Sequence, residues 1–461
     1  MAETISPDYL VIGAGAMGMA FVDTLITDTK ATVVMIDRYG RPGGHWTIVY
    51  PFVRLHQPST FYGVNSRPLG DDKIDQVGLN KGLVELATAD EVCAYYSKVM
   101  DQTFLPSGRV QYYAKHEYMG GGTFRSIITN QVTRVGQNTC IVDATYMKVT
   151  VPAMNPPSYG VSKDVSLIPP NDLPKMDRPY GGYTVIGAGK TGIDSCLWLL
   201  ANGVDPKKIS WIVPRDPWFF ERSGLQPGPA FAQSSFARFA SVGEATIAAS
   251  STEDLFRRLE ACGHLLRLDD AVWPTTFRCA TITVAELEQI KRVGTVIRQG
   301  RVKHVGVSEV RLEKGTYIPE PDTIYIDCTA DGLAKLEPVP VFSGKHIKLQ
   351  SLRYCQQVFS AALIAHMEAT YDDESFKNEL CRVVPHPNDP TDYLSVVLWT
   401  HQNTQRWLVQ PKTAAWLQQS RLDLFGKLMS AAIQHPGDAE RIQASMAAQG
   451  AAVCAKLQEL M

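Results

Sequence analysis

The 461-residue chain carries 45 basic and 47 acidic side chains and is 45% hydrophobic. That supplies two to three domains' worth of core, and the balanced charge, with no basic run or stripe, argues against nucleic acid or an anionic membrane surface as partner. No uncharged apolar stretch approaches the length of a membrane span and the strand pattern begins by Tyr9, so a cytoplasmic protein without a signal peptide is expected. The nine cysteines include no CxxC or CxxxxC pair, which predicts reduced thiols with neither a redox-active disulfide nor a zinc knuckle. The histidines show no HxxxH or HExxH spacing, so no metal site is expected.

Tyr9-Leu10-Val11-Ile12 reads as an apolar strand entering Gly13-Ala14-Gly15-Ala16-Met17-Gly18. A helical stretch follows, with Met17, Phe21 and Leu25 on one face, and then a second strand, Thr32-Val33-Val34-Met35-Ile36, ending on Asp37. This is the dinucleotide-binding βαβ fingerprint in order. Gly13 allows the tight turn, Gly15 admits the pyrophosphate, Gly18 permits close helix–strand packing, and Asp37 is placed to accept from a ribose hydroxyl. Next comes a turn-rich loop, Arg38 to Trp46, in which Gly43-Gly44 lets backbone lie against a flat ligand and Trp46 supplies an aromatic wall. Tyr50-Pro51-Phe52-Val53-Arg54-Leu55-His56 continues it.

Thr88 is a helix N-cap, with Asp90 and Glu91 in the first turn. Residues 108–112 form a short strand, and residues 124–151 read as strands of a β-meander turning at Gln137-Asn138. The proline- and glycine-rich residues 152–182 read as a linker. The fingerprint then recurs: Tyr183-Thr184-Val185-Ile186, Gly187-Ala188-Gly189-Lys190-Thr191-Gly192, an apolar helix closing at Gly203, and a strand reaching Pro214-Arg215. Where the first unit has Asp37, the second has Arg215, the residue type that pairs with a 2′-phosphate, which points to NADPH. Residues 217–300 read as loops with two helices, one opening near Ser251-Thr252 and one capped by Thr283 and Glu286. A hairpin follows around residues 302–312, then the strand 322–327 and Cys328-Thr329-Ala330-Asp331-Gly332. The remainder reads as helices over 356–369, 414–429 and 438–460, taken as core-facing.

The βαβ unit, the Gly-Gly-x-Trp loop and the Tyr50-Pro51-x-x-Arg54 stretch together resemble the flavin-containing and Baeyer–Villiger monooxygenases. The resemblance covers most of residues 8–332. Two positions depart from the Baeyer–Villiger pattern: Phe52 stands where Gly is usual and His56 where that group has Asp, the other group having Asn. The linker fingerprint common to both groups is missing. The resemblance implies two Rossmann-like α/β dinucleotide-binding domains, an FAD domain with a β-meander (residues 1–170, resuming at 326–461) and an inserted NADPH domain (171–325), plus a helical C-terminal segment. It implies FAD contacts at Gly13, Gly15, Gly18, Asp37, Arg38, Gly44, His45, Trp46, Leu55, His56 and, through backbone at the adenine, Val110. Nicotinamide-nucleotide contacts are expected at Gly187, Gly189, Lys190, Thr191, Gly192 and Arg215, and Thr329 is carried over as a further cofactor contact.

Two dinucleotides in one chain mean hydride transfer from NADPH to FAD. With no paired cysteines and no iron–sulfur or haem pattern, molecular oxygen is the expected acceptor. The expected activity is transfer of one oxygen atom from a flavin C4a-(hydro)peroxide to a small, apolar organic substrate. His56 is the candidate hydrogen-bonding or protonation-setting residue and Arg54 the candidate stabiliser of negative charge. Oxygenation at nitrogen or sulfur and attack on a ketone both stay open. A flavoprotein oxidase or dehydrogenase with a vestigial second fingerprint is the alternative.

Overall fold

The computed structural model describes residues 3–330, 332, 333, 335–424, 426 and 438–461. Strand β1 (Tyr9–Ile12) runs into Gly13, whose φ of +102° favours glycine, and the chain turns into α1 (Ala16–Asp28). Ten residues of α1 are buried, the signature of a helix covered on both sides rather than on one stripe. β2 (Val33–Asp37) lies parallel to β1, with Leu10 opposite Val34. The capping box expected at Thr88 and Glu91 opens α2 (Ala89–Val99). β3 (Val110–Ala114) adds beside β2.

The meander then forms from three antiparallel strands, His116–Gly120, Thr123–Ser126 and Val132–Val135. β4 (Cys140–Asp143) returns to the other side of β1. Residues 144–151, expected to continue as strand, are irregular.

The proline-rich stretch is more than a linker. Gly160–Val161 and β5 (Ser166–Ile168) pair with strands of the second unit, so that unit begins before residue 171. It continues with β6 (Gly182–Ile186), α3 (Lys190–Ala201), β7 (Ile209–Ile212), β8 (Pro217–Glu221), α4 (Pro229–Ile247), α5 (Thr252–Ala261), β9 (Thr276–Ile282), α6 (Val284–Ile290), β10 (Thr295–Ile297) and β11 (Thr323–Asp327). The helices at Ser251 and Thr283 are capped as the sequence indicates. After α3, Gly203 takes φ +80° and the Val204 N–H reaches back to the Leu199 carbonyl at 3.1 Å, closing the helix. The five parallel strands lie in the order β5-β11-β6-β7-β10.

The chain rejoins the first sheet through a hairpin, β12 (Phe342–Ser343) and β13 (His346–Lys348), giving the order β12-β13-β4-β1-β2-β3. Both sheets therefore place the glycine-bearing strand between its two parallel partners, the doubly wound arrangement that the repeated fingerprint predicts. Helices α7 (Gln357–Thr370), α8 (Glu374–Leu380), α9 (Asp392–Leu408), α10 (Pro411–Gln419) and α11 (Asp438–Leu460) complete the chain. α7 packs along α1 in the same direction, since His366 near its end lies 3.7 Å from Asp28 at the end of α1. The two helix N-termini therefore lie side by side. Of the helix expected over 414–429, residues 425 and 427–429 lie outside the described residues.

Helices α4, α8 and α9 have no clear signature in the sequence. Gly228-Pro229 looks like loop punctuation, yet Pro229 occupies the first turn of α4, where its missing N–H costs nothing. α9 hides its pattern because a polar residue, Asn403, is fully buried to bond the Leu352 and Arg382 carbonyls. Among the described residues no helix is long and apolar enough to cross a membrane.

A Cβ at position 18 overlaps the Gly13 carbonyl, whereas one at position 203 meets open space. Gly18→Ala is expected to destabilise the protein by ~1–3 kcal/mol through forced separation of helix and strand. Gly203→Ala should cost less, about 1 kcal/mol from backbone strain alone. Denaturation midpoints of the two variants decide whether this close approach matters.

Candidate functional site

Both glycine turns open on one cavity of about 2550 Å³, well beyond the ~300–1,000 Å³ that one small ligand occupies. In the first turn, Gly13 donates to the Ile36 carbonyl at 2.8 Å, and the Gly43 N–H donates to the Ala14 carbonyl at 2.9 Å. A Cβ on Gly44 would stand 2.8 Å from Gly15 Cα. The Gly43-Gly44 pair packs on the turn itself, and Gly44 also lines the cavity. Asp37 accepts from the Ala14 N–H at 2.6 Å and the Tyr39 N–H at 2.8 Å. Burial pushes its carboxyl pKa up against those bonds. Each oxygen keeps a lone pair for a ribose hydroxyl.

Gln356 and Gln357, at the adjoining N-terminus of α7, line the cavity. Gln356 Oε1 and both amide atoms of Gln357 are buried with no hydrogen-bond partner among the described residues.

The cavity wall brings together Gly13, Gly15, Asp37, Arg38, Gly44, His45, Trp46, Leu55 and His56 from the first half and Gly187, Gly189, Lys190, Thr191, Arg215 and Thr329 from the second. Gly18 and Gly192 lie beneath, each packed against the carbonyl of the first glycine of its turn. Val110 is 4% exposed with its side chain in the core under the sheet, so any contact it makes is through backbone, as the expectation has it. One expectation fails. Arg54 is exposed, its backbone bridged to Thr88 and its guanidinium donating to the Leu86 carbonyl at 2.9 Å. It does not line the cavity.

The guanidinium beside His56 belongs instead to Arg222, 1% exposed. Its Nε donates to the His56 carbonyl at 2.8 Å and its Nη2 to the Thr281 carbonyl at 3.2 Å, and it pairs with Glu286 at 2.9 Å. Nothing near Arg222 in sequence flagged it. Burial first, then the positive charges of Lys190 and Arg222, pushes the His56 pKa well below the usual imidazole value, so the ring is neutral at pH 7. Burial likewise pushes His45 down to about 4. Lys190 is ion-paired with Asp194 on its own helix, and Asp194 accepts from the Tyr50 hydroxyl at 2.7 Å. Phe52 packs on Trp198 of the same helix, with ring centroids 5.6 Å apart. The loop after the first fingerprint is thereby fastened to the helix of the second.

In the second turn Gly187 donates to the Ile212 carbonyl at 3.0 Å, and the Trp211 indole donates to the Gly187 carbonyl at 2.8 Å. Arg215 pairs with Asp389 at 3.0 Å, while its neighbour Asp216 is taken up by Arg298 at 3.0 Å. Thr329 donates through both N–H and hydroxyl to Asp327. That segment ends the second sheet; the return to the first is made later, at β12 and β13.

Further walls come from α4 (Phe236, Phe239, Val242), α9 (Val397) and α11 (Val453), so the C-terminal helices line the cavity as well as the core. The expectation of unpaired cysteines is also corrected: Cys279 and Cys355, 76 residues apart, form a disulfide in the cavity wall. Spacing rules see only close pairs.

The geometry defines a class: a protein with two dinucleotide-type glycine turns facing one shared cavity. The chain belongs to the family of the uncharacterized protein Rv2000 of Mycobacterium tuberculosis, with 50% identity over 444 residues, 96% of this chain and 82% of that protein. The uncharacterized protein Mb2023 of Mycobacterium bovis matches to the same extent. No protein-family model matches the chain. Among solved structures, cyclohexanone monooxygenase from Rhodococcus sp. Phi1 bound to NADP+ aligns at a TM-score of 0.48 with 15% identity, over 80% of this chain and 84% of that one. The OTEMO complex with FAD and NADP aligns at 0.45 with 13% identity, over 81% and 87%.

The depressed His45 value gives a signed expectation. Neutral in the folded state, His45 takes up a proton on unfolding below pH 6.5, so its contribution is complete above pH 6.5 and is lost as pH falls towards about 4. Denaturant midpoints measured from pH 7 down to pH 5 should fall less steeply in His45→Asn than in the unsubstituted chain. Equal slopes would place the pH dependence elsewhere.

Proposed function

We propose that this protein is an FAD-dependent, NADPH-using monooxygenase acting on a small, mostly apolar organic substrate with molecular oxygen. The observation that carries the reading is that both glycine turns open on the same cavity, with the Tyr50–Asp194–Lys190 contacts binding one half to the other. FAD is assigned to the half built from the first sheet, including residues 326–461, and NADPH to the half around β6 and α3.

The residues present fit these groups. Open space stands over Gly189, and Asp37 keeps free lone pairs. With FAD and NADPH held there, the nicotinamide would supply two electrons through the flavin for the reduction of oxygen. The chain's own part is positioning and exclusion. Arg222 fixes the backbone of His56. The neutral ring donates one hydrogen bond and accepts another, and the charge of Lys190 keeps it from taking a second proton. Phe236, Phe239, Val242, Val397 and Val453 exclude water and suit an apolar substrate. Arg215 meets the 2′-phosphate by exchanging its pairing with Asp389, an exchange open to a half-exposed side chain.

Arg215→Ala is expected to weaken NADPH roughly tenfold or more, the value of a charge-assisted contact, while leaving NADH nearly unchanged. Titration of both nucleotides checks this, and an unaltered preference moves 2′-phosphate recognition to another residue. The reading as a whole is tested by reducing the flavin-loaded protein anaerobically with NADPH, then mixing with oxygenated buffer and following flavin absorbance. A delay in reoxidation beyond that of free reduced flavin supports a monooxygenase; immediate reoxidation with stoichiometric hydrogen peroxide, in the presence of candidate substrates, supports an oxidase instead. His56→Ala should leave reduction by NADPH largely intact and shorten the delay.

A further inference from the structure

Three segments distant in sequence deliver two sulfurs and an imidazole to the cavity wall. β9 loses register with β8 between Trp218 and Phe220: Phe277 pairs with Trp218 but Thr281 with Phe220. The bulge leaves Arg278, Cys279 and Ala280 out of the ladder, with Cys279 at φ +59°. Cys355 immediately precedes the N-cap of α7, a helix of 14 residues, and takes φ +52°. His386 is 7% exposed and holds Nδ1 4.0 Å from Cys355 Sγ. The ligating atoms of all three residues lie within 4.8 Å of one another, and all three line the cavity. Two non-glycine residues held in the left-handed region, both cysteines and both at one spot, mark a site rather than an incidental crosslink.

We propose that Cys279 and Cys355 form a thiol–disulfide exchange site in the cavity wall, with low-molecular-weight thiols and their disulfides as substrates. The environments of the two sulfurs set the direction. Cys355 stands at the positive end of α7 and beside His386, both of which favour a thiolate, so it is the better leaving sulfur.

An incoming thiolate attacks Cys279 Sγ, the S–S bond breaks, and its electron pair departs on Cys355, which takes up a proton with His386 alongside. A second thiolate then attacks the outer sulfur of the mixed disulfide. Cys279 leaves with that electron pair and takes the second proton. The sum is two thiols oxidised to one disulfide and Cys279–Cys355 reduced to two thiols; the reverse restores the bond. The exchange requires neither nucleotide, so it stands or falls separately from the oxygenation reading.

The test equilibrates the full chain in buffers of varied reduced-to-oxidised glutathione, traps thiols by alkylation and identifies them by peptide mass. Reversible, two-electron conversion of this one pair is expected. Cys355→Ser treated with oxidised glutathione should hold one glutathione on Cys279. In Cys279→Ser, adding His386→Gln should slow alkylation of Cys355 roughly tenfold near neutral pH and move its pH profile upward. A pair that stays oxidised at every ratio, no adduct on Cys279, or an unmoved pH profile would overturn the proposal. So would a zinc ion held by the reduced chain and lost in Cys279→Ser, which would make the three residues a metal centre.

Discussion

The carbonyl oxygen of Gly13 occupies the space that a side chain at position 18 would need, and the Gly187 carbonyl does the same to position 192. This one constraint brings the start of each helix down onto the end of its strand. The unpaired N–H groups of the helix's first turn, and the partial positive charge they carry, are thereby aimed over the strand's carboxyl end. Each sheet then grows outward from its glycine strand in the same order, and α7, running alongside α1, brings a second helix N-terminus to the same rim. The cavity is the space these ends share.

The two halves are held around that space by apolar packing, in which Trp218, Phe256 and Phe277 meet Tyr393, Leu394 and Leu398, and by buried polar contacts. Arg222 joins the His56 carbonyl, the Thr281 carbonyl and Glu286, and Asp194 joins Tyr50 and Lys190. Buried ion pairs of this kind add little net stability against apolar packing, but removing one partner leaves an uncompensated charge, so they hold a geometry more than they strengthen it. The neutrality of His56 follows from the same arrangement: two cations nearby and little water to offset them. The backbone of His56 is held by one of the same contacts that fasten the halves together.

Legibility followed the range of the interaction. The glycine turns, the caps at Thr88, Ser251 and Thr283, and the stop at Gly203 are each decided within about one turn of chain and are legible there. The meander and the hairpin are nearly as local. The loop between Arg38 and His56 was recognisable as a ligand-side loop, but not the direction of each side chain in it. Arg54 and His56 stand two residues apart, yet a backbone bridge to Thr88 turns one to solvent while Arg222 draws the other to the cavity. α4 and α9 escaped notice because the apolar face of the first serves a cavity and that of the second is interrupted by Asn403.

The sequence by itself therefore determined that there are two dinucleotide-type units, where the glycine turn of each lies, and which residues shape those turns, because hydrogen bonding and side-chain periodicity act between near neighbours. Only the tertiary structure decided that Arg222 reaches His56 across 166 residues, that Arg215 meets Asp389 across 174, and that Cys279, Cys355 and His386 converge. The reason is physical. The entropy of closing a loop grows only with the logarithm of its length, so separation along the chain barely biases which distant groups meet. Packing of the formed elements settles that choice, and packing leaves no local mark on the residues it joins.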